Sequence, residues 1–520
     1  MSWRVADNCV LLPLDSRPVS VRLPVSLARL AGVRLATPPR GMLGGLHSPA
    51  DFEGLRSWIF DTLTSKSPVL FVSADLICYG GLIFSRENRV SCDLALKRLD
   101  LLRHLKRKYP DLRIMATGVI LRDSVSVRND EDFALWQRLQ SGRGPYPEWF
   151  TNLRQRNAAV NRAVLELAAD GTVDFALLGK EDTAPTNPFR REISGLRRIV
   201  REQKISNRAM VINGTDELAC LLISRYLSEK VKKKPSFLID SRGSDFPART
   251  PLFESRELVK TLREQIRAAG GRVAQPGKPY DIRLFLHCPK EQQQDLFALQ
   301  LGGLRTPPKP ARDKKYYTAF AKAVACEENM AAVADVAFAN GADPALTNEL
   351  ISRQLLFKLG AWAAWNTASN TTGTTISIAL ASWIQKNRDR DIDVKRFFSE
   401  HILLLLERIA DDDIYQSRTR CRLIRECDNP HSIENMIQIN PVLNKTMIDM
   451  WNSNIQKNII DRTFETCLSE NINLVFSHAG IKSVKLPWSR LFECEVAPQA
   501  HFSVMEIDFT RAARPGNKRC

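Results

Sequence analysis

Histidine is scarce in this chain. Seven occur in 520 residues (His47, His104, His287, His401, His431, His478 and His501), and none pair as HxH or HExxH. Those spacings put two imidazoles on one face of an element, so a classical zinc hydrolase is disfavoured. No GxSxG elbow is present, although a triad assembled from distant residues stays open. The eleven cysteines form no CxxC, which removes zinc ribbons and redox pairs. No P-loop or GxGxxG fingerprint signals a nucleotide cofactor. No apolar run is long enough to cross a bilayer, so no transmembrane segment is expected. The apolar stretch NCVLLPL is too short for a signal-peptide core and is followed at once by Asp15. These absences leave a cytoplasmic protein with buried, reduced thiols as the expectation.

Charge is plentiful and unbalanced. Lysine and arginine exceed acids by 75 to 58, a formal charge of +17. Such an excess raises nucleic acid or a membrane surface as a partner. Yet the basic residues are spread along the chain. Their tightest cluster, Lys232–Lys234, lies before Pro235 without the aromatic companions of an RNA-binding strand. Nucleic acid is disfavoured, and a small polar or anionic molecule is the expected partner. Oligomeric state cannot be read from these residues. Hydrophobic residues at 44% and charged residues at 26% are ordinary for a folded globular chain.

The first half repeats one theme. A short apolar run ends in a polar cluster, and a helix-like segment follows. VLLPL ends at Asp15, VLFVSA at Asp75, and IMATGVIL at Arg122-Asp123. VDFALLG ends at Lys180-Glu181-Asp182, and AMVING at Thr215-Asp216-Glu217. Runs of this kind suit buried parallel strands. The fold class expected is α/β, built of parallel βα units as a barrel or as doubly wound lobes, with a largely helical C-terminal part. The expected divisions are an N-terminal α/β lobe at 1–230, a second at 235–345, and a mainly helical region with a short β segment at 346–520. A helix from about Glu254 to Ala269, closed by Gly270-Gly271, and an exposed Pro-rich basic loop over Gly302–Lys315 are also expected.

In parallel α/β sheets, ligands meet the C-terminal strand ends. That rule gathers the polar clusters on one rim. Asp182, Asp216, Glu217 and Glu181 become the candidate catalytic carboxylates, because acids from different strand ends can share acid and base roles. They could equally hold a hard cation through oxygen ligands, so a divalent cation stays open. Asp15, Arg17, Asp75, Tyr79, Arg86 and Arg122 are candidate substrate-binding residues; guanidinium forks suit carboxylate or phosphate. Arg191 is read as a further strand-end arginine. Gly80-Gly81 would allow close approach of backbone to a ligand. The segment WNTASNTTGT offers Asn366 and Asn370 as hydroxyl binders or, more blandly, a capped turn. Each acid alone is better explained as a helix cap, and it is the set on one rim that points to a site.

The motifs together resemble a known family. LLPLDSRPVS, PPRGMLGG, SADLICYGGLIFSR, LLGKEDTAPTNPFRREI, INGTDELA, DVAFANGAD, AAWNTASNTTGT, DDDIYQSRTR and VKLPWSRLFECEV are similar, in order, to the family called domain of unknown function 4127. The resemblance spans nearly the whole chain. It implies one architecture rather than a fusion, and it adds Asn340 and Asp343 to the candidate binding residues. The family's usual forms are DDRP, QDDxxP and GADE, so Ser16 and Glu181 depart from them. No activity comes with the resemblance. The expected function is an enzyme on a small polar or anionic metabolite, with a glycoside-type hydrolase foremost. A biosynthetic lyase, isomerase or transferase, or a non-catalytic metabolite-binding protein, are the alternatives.

Overall fold

The computed structural model describes residues 8–64, 66, 69–125, 130–140, 145–183, 190–387, 394–426, 433–467 and 469–506. The chain divides into two compact units. The first is Met1–Ile223 with Phe253–Glu257, and the second is Ser224–Leu252 with Leu258–Cys520.

Six parallel strands form the first unit's sheet: β1 (Asn8–Leu12), β2 (Arg34–Ala36), β3 (Val69–Ser73), β4 (Arg113–Ile120), β5 (Phe175–Lys180) and β6 (Ala209–Asn213). Their order is β2-β1-β3-β4-β5-β6. The runs are mostly apolar because both faces are covered; every residue of β3 and β5 is buried. Val10, Leu12, Leu70, Val72, Ile114, Ala116, Ala176 and Leu178 pack with helical Leu102, Leu105, Val164 and Ala168 in one core. Pro18 starts the helix Pro18–Leu30 after β1, where its missing N–H costs nothing.

The second unit's main sheet holds β7 (Ser236–Asp240), β8 (Arg272–Val273), β9 (Ile282–His287), β11 (Met330–Asp335) and β13 (Leu359–Ala363), in the order β13-β11-β9-β7-β8. All its pairings are parallel. A parallel pair joins β10 (Gln294–Asp295) to β12 (Phe338–Ala339). An antiparallel sheet follows, of β14 (Thr463–Thr466), β15 (Ser469–Lys485) and β16 (Glu495–Glu506).

Both main sheets are open and doubly wound rather than barrels. Numbered from its own first strand, each reads 2-1-3-4-5, and the first unit adds a sixth. Strand order reverses between the first and third strands of each, and that reversal leaves a crevice outside their C-terminal ends.

Several expectations need adjusting. The strand β13 lies inside the stretch expected to be helical. The expected helix after residue 254 begins at Leu258, since Phe253–Glu257 belongs to the first unit. The Pro-rich loop is mostly exposed as expected, with Pro308 alone buried, and Arg312 at its end donates to the carbonyls of Cys288 and Pro289, at 2.9 Å each. Arg191 lies exposed in the helix Arg190–Glu202, not at a strand end. Eight described cysteines form no disulfide, seven of them buried, whereas Cys326 is disulfide-bonded. No helix among the described residues is long and apolar enough to cross a membrane.

Candidate functional site

The first unit gathers the expected rim. Asp15 follows β1 and is buried with Arg17. The Arg17 Nε donates to Asp15 Oδ2 at 2.8 Å, and its Nη2 and Nη1 fork onto Asp216 at 2.6 and 3.3 Å. Asp15 Oδ1 also accepts from the Arg17 N–H and the Ser20 hydroxyl. One guanidinium thus ties the end of β1 to the end of β6. Gly81 lies against this turn: a Cβ there would stand 3.4 Å from the Leu14 carbonyl oxygen and 3.6 Å from Asp15 Cβ. Its closeness is to protein backbone.

Asp75 begins the short helix Ala74–Tyr79 after β3 and accepts from the Val119 N–H at 2.8 Å. Burial pushes its carboxyl up to about 7, against the pull of that N–H and of Arg156 and Arg86. Tyr79 lies in the core beneath the Arg156 guanidinium, 4.4 Å from its ring centre. Arg86 pairs with Glu181, which also accepts from the Arg122 N–H at 3.3 Å.

Asp182 is only partly buried, yet burial raises its carboxyl. Arg122 and Arg86 oppose the rise, and Asp216 adds to it. Glu217 is fully buried, and burial lifts it to about 8, with Asp216 and Glu254 contributing. The Thr215 N–H holds its Oε2 at 3.0 Å. Gly214 makes room for that carboxylate: it sits at φ +104, and a Cβ there would lie 1.7 Å from Glu217 Oε1.

The short stretch Phe253–Glu257 completes the rim. Phe253 O accepts from the Thr183 N–H at 3.0 Å, Glu254 accepts from Asn213 Nδ2 at 2.6 Å, and Ser255 meets Lys180. Sequence reasoning missed Glu254, Asn213 and Arg156, because pairings between distant segments leave no local pattern.

At the crevice between β1 and β3 lies a small cavity, with about 10 Å³ free for the centre of a water molecule. Ser20, Ser73, Thr117 and Asp216 are among its lining residues, and the buried Ser73 hydroxyl has no hydrogen-bond partner.

The other candidates belong to the second unit. Asp343 caps the helix Pro344–Ser352 and is fully engaged, by the Ala345 and Ala311 N–H groups, the Tyr317 hydroxyl and His287. Burial works against its charge, yet His287 and Tyr317 hold it below the usual carboxylate range. Neighbouring Asp335 is pushed up to about 6 by burial. Asn340 and Asn366 both hold left-handed backbone, at φ 63 and 70, and the Asn340 N–H donates to Asn366 O at 2.9 Å. Asn340 Nδ2 donates to Asp295 at 2.8 Å. Asn370 sits in the first turn of the helix Ala368–Lys386, its N–H held by the capping Thr367 hydroxyl.

The acidic run Asp411–Asp413 is buried in a π-helical segment, Ile409–Thr419. Asp412 accepts from Arg408 and the Ala364 N–H, and Asp413 pairs with Arg418 at 2.7 Å. Buried Arg420 donates to Gln300, Gln416 and Asn340 O. None of these was chosen from sequence, since a run of acids reads as a solvated surface.

No group of three or more potential ligands able to hold a metal occurs among the described residues. The rim instead joins carboxylates of unequal setting to arginines, which suits proton transfer and anion recognition.

Fold and rim define an α/β protein of two doubly wound units, with acids and arginines gathered at the strand ends of the first as a candidate site. The chain belongs to the family described as Protein of unknown function (DUF4127), whose model matches residues 9–141 and 145–497. Among curated proteins none matches the sequence.

Proposed function

We propose that this protein is an enzyme that acts on a small polar or anionic metabolite by carboxylate acid–base chemistry at the first unit's rim. One observation carries it: neighbouring acids there occupy opposed environments. Asp216 is locked in a salt bridge with Arg17, while Asp182 is raised by burial and stays partly exposed. Carboxyls whose environments differ in this way divide into proton donor and charged partner. Asp182 is the donor a substrate can reach. Glu217 holds its proton too firmly and too deep to meet one directly.

A glycoside-type hydrolase is the foremost form, because it needs one protonated and one ionised carboxyl. A lyase, isomerase or transferase step would use the same pair. Engagement of both Asp15 and Asp216 by Arg17 favours a second reading, a binding protein whose acids serve structure. A cytoplasmic setting accompanies the proposal, supported by the eight described cysteines that form no disulfide.

The test is a thermal-shift screen against sugars, sugar acids, phosphorylated metabolites and divalent cations, since a ligand stabilises the folded state by mass action. Hits are then assayed for turnover with wild type and Asp182→Asn. Turnover lost with binding kept supports the enzyme. Binding without turnover in the wild type makes it a carrier.

A further inference from the structure

Beside Asp182 lies a second concavity of the first unit. It is lined by Arg86, Leu121, Arg122, Ser124, Val125, Trp149, Phe150 and Leu153, with about 10 Å³ free for a water-sized group. Three features set it apart from a packing defect.

First, its lining contains two arginines and no carboxylate. Glu181 pairs with Arg86 from outside that lining. Second, Trp149 is 41% exposed. Large aromatics standing at the surface beside polar groups mark contact sites. Third, Trp149 is braced: it meets Phe150 edge-on, with ring centres 5.7 Å apart and planes at 87°. Phe150 stacks in turn on Tyr146, whose hydroxyl donates to the Asp123 carbonyl at 3.1 Å.

The size of the concavity divides the ligand. It has room for one water-sized group, such as a single oxygen of an anion, and for nothing as large as a ring. A ring must stay outside, against the exposed indole.

We infer that this pocket is the subsite for an anionic group, carboxylate or phosphate, carried on a ring whose flat face lies on Trp149. Arg122 and Arg86 hold the anion and Trp149 carries the ring, which sets the attached bond beside Asp182. This deepens the acid–base proposal and rests on it for the chemistry, though not for the binding.

The experiment uses the full chain and five probes: glucuronate, glucose 6-phosphate, glucose, acetate and inorganic phosphate. Affinity is read by calorimetry and by tryptophan fluorescence, in wild type, Trp149→Ala, Trp149→Phe and Arg122→Met. One or both charged sugars should bind at least about tenfold more tightly than glucose, the scale of a charge-assisted hydrogen bond. The tighter of the two names the anion. Trp149→Ala should weaken that binding roughly two- to tenfold and remove the fluorescence response. Trp149→Phe should retain part of the affinity while silencing the signal, and Arg122→Met should erase the preference for charge. Equal binding of glucose, failure of both charged sugars to bind, or affinity unchanged in Trp149→Ala would overturn the subsite. Turnover of any substrate that depends on Asp182 but not on Trp149 would overturn the subsite alone and leave the acid–base proposal standing.

Discussion

Arg17 carries the sharpest stability prediction. Its side chain is 4% exposed and supplies three N–H···O contacts to two buried carboxylates, at 2.8 Å to Asp15 and at 2.6 and 3.3 Å to Asp216. Arg17→Met keeps most of the volume and removes the charge. Asp15 keeps the Ser20 hydroxyl and a backbone N–H, so the main loss falls on Asp216. Removing one partner of a buried ion pair costs about 3–5 kcal/mol, because the remaining charge is left without its counterion. For a unit of this size that corresponds to a fall in melting temperature of roughly 6–20 °C. Urea titration by circular dichroism, with calorimetry alongside, measures it. Arg17→Lys serves as the companion variant. A point charge cannot fork across Asp15 and Asp216, so lysine should recover only part of the loss. A cost under about 1 kcal/mol for methionine, or a lysine variant as stable as wild type, would refute the clamp.

Two further outcomes follow from the rim. Asp75 is raised to about 7 from an ordinary value near 3.8. A raised carboxyl stabilises the fold fully below its unfolded value, and that stability is lost as pH climbs through 7; the loss is on the order of 4 kcal/mol. Urea midpoints at pH 5 and pH 8 should therefore lie closer together in Asp75→Asn than in wild type, and an unchanged gap would count against the buried acid. Gly214→Ala forces a Cβ onto Glu217 at a left-handed backbone position. It should destabilise the first unit by about 2–4 kcal/mol, read as a lower melting temperature, and a silent substitution would show that Glu217 moves aside freely.

The sequence disclosed the strand ends well because two signals agreed there. An apolar β-branched run such as VLFVS needs cover on both faces, and the polar residue that ends it marks where the chain leaves the sheet. Asp15, Asp75, Glu181, Asp182 and Asp216 were found in this way. Strand order was not legible, since pairing is decided by packing between segments far apart in the chain. The strand LGAWA was hidden by its glycine and alanines, which carry little β signal. Asp343, chosen as a candidate binding residue, also caps a helix and accepts from Tyr317 and His287, contacts between distant segments that the sequence could not show. The run Asp411–Asp413 was hidden by its charge, which Arg408, Arg418 and backbone donors offset inside the protein.

The stretch Phe253–Glu257 has a consequence for how the protein is made. It belongs to the first unit, yet 29 residues of the second, Ser224–Leu252, precede it in the chain. A ribosome delivers the chain from its N-terminus, and domains tend to fold as they emerge. Here all six strands of the first sheet are complete by Asn213, but the partners of Thr183, Asn213 and Lys180 arrive only after β7 has been synthesised. The nascent first unit must wait with its strand ends uncovered, and a chain cut after Ile223 would never acquire the piece that finishes them.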